Sequence, residues 1–182
     1  METIALAVTF AFCFYCVCAA VARVEINRIV AKRPPTVPLE PTVRFTIDEG
    51  LEPMVFAPDR AHDTDAGADL RTPIDVRIPP HGSALVHTGV HIELPAHTCG
   101  LLVSKSGLMV HNAITSTGLI DEGFTGEIVI RVFNDSSDWH TFLAGDKVSQ
   151  VAVLPVCYPT YEYATEISGG ERGDNGYGST GR

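Results

Sequence analysis

Apolar side chains recur at every second position along most of this chain, and the runs that carry them are short and broken by turn residues. In EIVIRVFN (residues 127–134) Ile128, Ile130 and Val132 share one face; Ile74, Val76 and Ile78 alternate with Asp75 and Arg77; Val43, Phe45 and Ile47 repeat the pattern near the start. A period of two is that of a strand with one buried face. Residues 84–94 read as a longer strand with Gly89 at a bulge, residues 100–104 as a short apolar strand, and KVSQVAVLPV (147–156) as a strand rich in β-branched side chains. Between them stand turns such as Pro79-Pro80-His81-Gly82 and Ala144-Gly145-Asp146, and residues 51–62 read as loop. Only residues 105–111 could form a short helix, which Gly107 weakens. About ten short strands at regular spacing, with almost no helical period, predict an all-β sandwich or jelly-roll barrel.

The two ends depart from this pattern. Residues 4–22 are apolar apart from Thr9 and hold no charge, Gly or Pro; at about 1.5 Å per residue such a run spans a bilayer core. Arg23, Arg28, Lys32 and Arg33 follow at once, and cations on that side keep the following domain in the cytoplasm. The expectation is a membrane-anchored protein with its β domain in the cytoplasm, the alternatives being a cleaved signal or a cytoplasmic protein whose apolar segment does not insert. The sequence therefore divides into an apolar helix (1–24), a Pro-rich linker (25–41), a β domain (42–168) and a Gly-rich, flexible C-terminal arm (169–182). Cys13, Cys16 and Cys18 lie inside the apolar run and read as buried or lipid-facing thiols, which leaves Cys99 and Cys157 for the domain. That number builds no disulfide framework.

The formal net charge of -9 over 182 residues argues against a nucleic-acid partner, because phosphate backbones are held by clustered Lys and Arg. An anionic ligand would need a local positive site or a metal brought with it. Lys105-Ser106-Gly107 offers a cation, a hydroxyl and an unhindered backbone at a strand end, which suits a phosphate. Asp121 follows Gly118-Leu119-Ile120, neighbours that would hold a carboxylate rigid and partly desolvated, as a general base for water needs. Asp69, in Ala-Gly-Ala-Asp-Leu, is a second isolated carboxylate that could face a hydrated divalent cation. Gln150 is polar within an apolar strand and needs a partner if it points inward. His87 and His91 share a strand face and read as surface or packed histidines rather than metal ligands. The arm GGERGDNGYGSTGR (169–182) holds six glycines and no aliphatic side chain, so it cannot bury itself. It suits closure over a ligand: Arg172 as a bidentate donor, Tyr177 as a stacking face, Ser179 and Thr180 as hydroxyls.

Five segments occur in order: AGADLRT (66–72), SKSGL (104–108), GLIDEGFTGEI (118–128), GDKVSQ (145–150) and RGDNGYGSTG (172–181). Together they resemble the five ordered motifs of the homotrimeric dUTP diphosphatases (dUTPases). The resemblance implies a distorted β-barrel of the jelly-roll type, three copies of which share three active sites. It implies that Asp121 activates the water that attacks the α-phosphorus of dUTP, giving dUMP and pyrophosphate. It further implies Mg²⁺ bound by the triphosphate and by waters that Asp69 orients; Lys105, Ser106, Gly107 and Gln150 on phosphates; and the hairpin backbone of 115–119, with Thr115, Gly118, Leu119 and Ile120, along the uracil edge. Phe124 would pack on the deoxyribose, Arg172 with Gly178, Ser179 and Thr180 on the γ-phosphate, and Tyr177 on uracil. The chain departs from the usual pattern at Lys105, where Arg is usual, at Phe124, where Tyr is usual, and at Tyr177, where Phe is commonest. A lysine keeps the charge but loses the planar fork. Two other readings stand beside this one: a nucleotide-sensing or partner-binding module without turnover, and a dCTP deaminase, whose catalytic glutamate would fall at Arg131.

Overall fold

The computed structural model of the chain describes residues 41–167, 169, 170 and 173. The apolar run, most of the linker, Arg172, Tyr177, Gly178, Ser179 and Thr180 lie outside the described residues. Among the described residues there are nine strands and two short helices: β1 (Arg44–Ile47), α1 (Pro53–Phe56), β2 (Gly67–Arg71), β3 (Val76–Ile78), β4 (Gly82–Glu93), β5 (Thr98–Val103), α2 (Ser106–Asn112), β6 (Ile114–Ile120), β7 (Glu127–Asn134), β8 (His140–Phe142) and β9 (Lys147–Pro155). No described helix is long and apolar enough to cross a membrane.

The alternation read from the sequence becomes burial. Ile128, Ile130 and Val132 of β7 are all but fully buried, and Val86, Val90, Leu70, Ile78, Ile114 and Val148 join them in one core. Seven strands form a single curled antiparallel sheet in the order β1-β4-β7-β6-β5-β9-β2, and β3 pairs with β8 beside it. The all-β barrel expectation holds. Gly89 is the expected bulge, with φ +66 and a register shift between His87 and His91.

Three local expectations are corrected. Residues 51–62 are not all loop: Pro53 opens the single turn of α1, and the Glu52 side chain caps it by accepting from the Met54 N–H at 3.3 Å. Ile74 does not belong to its strand and is 62% exposed, because the buried Thr72 hydroxyl donates to Ile74 O at 2.7 Å and turns the chain just before β3. The hairpin expected around 115–119 is the antiparallel pair β6–β7, and the stretch itself is the body of β6. The helix allowed at 105–111 forms one residue later, and its end is marked by Ala113 in the left-handed region.

The course of β6 decides where the site can lie. Its first three residues, Ile114, Thr115 and Ser116, pair with β7, whereas Thr117, Gly118, Leu119 and Ile120 pair with β5. Beyond Ser116 the strands β6 and β7 part, and a cleft opens between them.

Candidate active site

Two groups of residues assemble at opposite ends of the β5–β6 pair. The first surrounds Asp69. Register sets Asp69 of β2 opposite Gln150 of β9, and Gln150 in turn opposite Val103 of β5, so three motifs meet across three neighbouring strands. The Asp69 side chain is 8% exposed; Lys105 Nζ donates to its Oδ1 and Lys147 Nζ to its Oδ2 at 2.6 Å. Burial pushes this carboxyl up, but the hydrogen bonds and attraction of the two ammonium groups outweigh it and hold it below its ordinary 3.8. The same bond to Asp69 pushes the Lys147 ammonium up. Asp59, from the loop before β2, adds a weaker contact to Lys147 at 3.7 Å.

The turn at Lys105 is pinned from beneath. Ser104 Oγ donates to Ser116 O at 3.0 Å and accepts from Ser116 N at 2.8 Å, Ser149 Oγ donates to Val103 O, and Gln150 Nε2 donates to Ser104 O at 3.1 Å. Gly67 makes room for this: a Cβ there would stand 2.6 Å from Gln150 Oε1. Ser106 and Gly107 follow as exposed first-turn residues of α2, whose amides have no intrahelical acceptor. The result is a ledge with a cation, a hydroxyl and free N–H groups on a rigid base, chemistry that suits phosphate oxygens.

The second group lines the cleft between β6 and β7, about 460 Å³ in volume, with Gly118, Leu119, Ile120, Asp121, Phe124 and Arg131 among its walls. Asp121 follows β6 directly, and its carbonyl accepts from Phe124 N at 3.1 Å to close a turn in which Gly123 has φ +84. Phe124 folds over Gly126, where a Cβ would come within 2.6 Å of the ring. Thr115 does not join this group, since it lies opposite Phe133 in the paired half of β6. The main chain open to a base edge thus starts at Thr117. Asp121 is exposed rather than partly desolvated, as one of the residues that line the cleft.

The distance between the groups is the main geometric fact. Gly100 pairs with Ile120 and Val103 with Thr117, so Lys105 leaves one end of the strand pair and Asp121 the other, roughly 20 Å apart at about 3.3 Å per residue. One ligand the size of a nucleotide triphosphate cannot have its α-phosphate at Asp121 and the same chain's Lys105 on its phosphates. β9 also ends at the Asp121 side: Val156 N donates to His97 O at 2.9 Å. From there the chain passes Tyr158, whose hydroxyl donates to Glu122 and is pushed up to about 12 by that bond, before the Gly-rich arm begins.

Sequence reasoning missed Lys147. Lys147 lies three positions from Gln150, on the other face of a regular strand, and only the register shift between Leu70 and Arg71 turns it toward Asp69. His87 and His91 do face the same side, as expected, and their rings engage groups of this chain: His87 Nδ1 lies 2.9 Å from Glu127 Oε2, and His91 lies between Asp48 and the Thr125 carbonyl. Cys99 is a buried and Cys157 an exposed free thiol.

A curled antiparallel barrel with a phosphate ledge at one end and a nucleoside-sized cleft with a carboxylate at the other defines a nucleotide-handling β-fold protein. The dUTPase family model matches residues 54–181, and the chain belongs to that family. It is 37% identical to the deoxyuridine 5'-triphosphate nucleotidohydrolase of Gloeothece citriformis over 134 residues, 72% of this chain and 92% of that protein. Identity is 39% over 127 residues to the enzyme of the same name from Alkaliphilus metalliredigens, 68% of this chain and 88% of that protein. Among solved structures, the Staphylococcus bacteriophage 80alpha dUTPase with dUPNHPP superposes with a TM-score of 0.69 at 26% identity, covering 78% of this chain and 99% of that one.

Proposed function

We infer that this chain hydrolyses dUTP to dUMP and pyrophosphate, in sites built between copies of itself. The observation that carries the reading is the separation of roughly 20 Å between Lys105 and Asp121 along one strand pair, with complementary halves at the two ends: a phosphate ledge with its lysines at one, and a carboxylate beside a nucleoside-sized cleft at the other. A homotrimer in which the ledge of one chain meets the cleft of the next completes both. In such a site Lys105, Gln150 and the amides of Ser106 and Gly107 bind the phosphates. Main-chain groups of residues 117–119 meet the uracil edge, and Phe124 packs on the deoxyribose. Asp121 takes a proton from water as the water oxygen bonds to the α-phosphorus and the bond to the bridging oxygen breaks, releasing pyrophosphate. Arg172 and the Gly178-Ser179-Thr180 segment close on the γ-phosphate, with Tyr177 on the base.

The donor set around Asp69 fits Mg²⁺ only in the outer shell. Both carboxylate oxygens already accept from ammonium groups, and no group of three His, Cys, Asp or Glu side chains converges among the described residues. Such a site suits an ion whose inner ligands are phosphate oxygens and water, Asp69 orienting one of those waters. When bound, the ion neutralises charge on the leaving pyrophosphate.

The test is a nucleotide panel on the full chain, with dUTP, dCTP, dTTP and UTP scored for pyrophosphate and ammonia. Pyrophosphate from dUTP alone, dependent on Mg²⁺, is the expected result; binding without turnover supports a sensing module, and ammonia from dCTP supports deamination. For residues 4–22 the proposal remains a membrane tether with the β domain in the cytoplasm, checked on the same preparation by sedimentation with membranes after a carbonate wash.

A further inference from the structure

The turn that carries Asp121 and Phe124 is fastened to the rest of the barrel by a side chain outside all five motifs. His91, on β4, directs Nδ1 to Thr125 O at 2.9 Å and Nε2 to Asp48 Oδ1 at 3.0 Å. Thr125 follows Phe124 in the turn, and Asp48 stands directly after β1, anchored by its own N–H on Gly89 O at 2.9 Å. One ring thus joins the turn to the edge strand across β4. Both groups facing the ring are acceptors, so both ring nitrogens must carry hydrogen; only the imidazolium satisfies the two contacts at once.

We propose that His91 is a positioning residue for the reaction, whose protonated ring holds the 121–126 turn in the conformation that presents Asp121 and Phe124 to the nucleotide. The proposal rests on the activity inferred above. The other charged groups at this point act in the same sense. Glu127, on β7, accepts from Gly89 N at 2.9 Å through Oε1 and meets His87 Nδ1 through Oε2, so a carboxylate lies next to the turn from the β7 side as well. The hydrogen bond to Thr125, the bond to Asp48 and the attraction of Asp48 and Glu127 together raise the His91 pKa above its ordinary 6.5. A raised folded pKa means that the tie is fully present below 6.5 and is lost as pH rises through the folded value. Above it the neutral ring keeps one N–H, and a bare ring nitrogen then faces an acceptor.

Two substitutions separate the tie from the fold. His91→Gln is neutral at all pH and cannot donate to both partners from one side-chain amide nitrogen while spanning the same gap. Asp48→Asn supplies an N–H that can donate to the neutral ring's Nε2 while Nδ1–H stays on Thr125, so the tie no longer depends on protonation. The readouts are hydrogen exchange of segment 121–126 in the nucleotide-free full chain, corrected for intrinsic rates, and the pH profile of kcat/KM for dUTP. In the unmodified chain, protection and kcat/KM fall together, by roughly threefold to tenfold, as pH rises through the His91 titration, the size expected for one hydrogen bond. His91→Gln shows the low value of both throughout, and Asp48→Asn shows protection at both ends of the range. A His91→Gln chain that keeps the pH-dependent protection overturns the proposal, and so does an Asp48→Asn chain whose turn still loosens as the pH rises. If the exchange results come out as expected but dUTP is not hydrolysed, the tie stands and the assigned activity falls.

Discussion

Asp69 and Asp121 are both carboxylates of the site, and the chain treats them in opposite ways. Asp69 is buried, held by two lysines and backed by a serine network that runs under the adjoining turn. Asp121 is exposed in the lining of a cleft, and its turn is closed by one main-chain hydrogen bond and tied back through neighbours. A group that must hold one position before and after binding is over-determined within its own chain. A group that must activate water at the interface between chains takes the rest of its surroundings from the partner and the nucleotide, since desolvation in advance would leave a lone charge without compensation. Substitutions at the first end should therefore be felt in stability, and those at the second in turnover.

The largest effect is expected at the exposed end. Asp121→Asn should lower the rate of pyrophosphate release from dUTP by about two to four orders of magnitude, the range for loss of a general base. Its melting temperature should stay where it was, because the side chain supports nothing in the fold. Turnover and thermal unfolding measured on one preparation check both halves. A clear drop in melting temperature would mean that Asp121 carries structural weight and that the contrast between the two carboxylates is not real.

How legible each end was in the sequence follows the same line. Strand positions with one buried face, such as Ile128, Ile130 and Val132, announce themselves by alternation, and so did β7 and the bulge at Gly89. Lys147 did not, because strict alternation assigns it to the face away from Gln150 and the register shift beside Arg71 cannot be read from one strand alone. The exposure of Asp121 was missed for a different reason: apolar neighbours in sequence predict cover only if they close around the group, and here β6 and β7 diverge before they do. The main chain free to meet a base was likewise narrowed from 115–119 to 117–119 by pairing that no local pattern reveals. α1 could have been found, since Glu52-Pro53 is a cap followed by a first-turn proline.

At the buried end, Lys147→Met should cost about 1–3 kcal/mol of stability, because Asp69 keeps its charge but loses one of its two donors. The acid limb gives the sign. Asp69 has a depressed pKa, so its contribution is present above 3.8 and is lost as pH falls through the lower folded value. Without Lys147 that folded value rises toward 3.8, and the difference in melting temperature between variant and parent shrinks as the pH is lowered. Lys147→Arg, which keeps the charge, should recover most of the loss near neutrality. An unchanged melting temperature in Lys147→Met would show that Lys105 alone suffices.

A smaller stability effect than that of Lys147→Met, and the sharpest probe of the ledge, is expected from Gly67→Ala. The added Cβ would meet Gln150 Oε1 at 2.6 Å and Cδ at 3.0 Å, the far end of a flexible side chain, so relief comes by swinging the amide away from Ser104 O. The lost hydrogen bond costs about 0.5–1.5 kcal/mol. Gly67 does not adopt a positive φ, so the alanine also restricts the unfolded chain and regains about 0.4–1 kcal/mol. The two nearly cancel, and the melting temperature should move little. KM for dUTP should nevertheless rise, since Gln150 no longer stands beside the Lys105 turn, while kcat changes less because Asp121 is untouched. A fall in kcat with KM unchanged would instead mean that Gln150 acts on the reacting phosphorus rather than on binding, and that the two ends of the chain are less separate than their distance suggests.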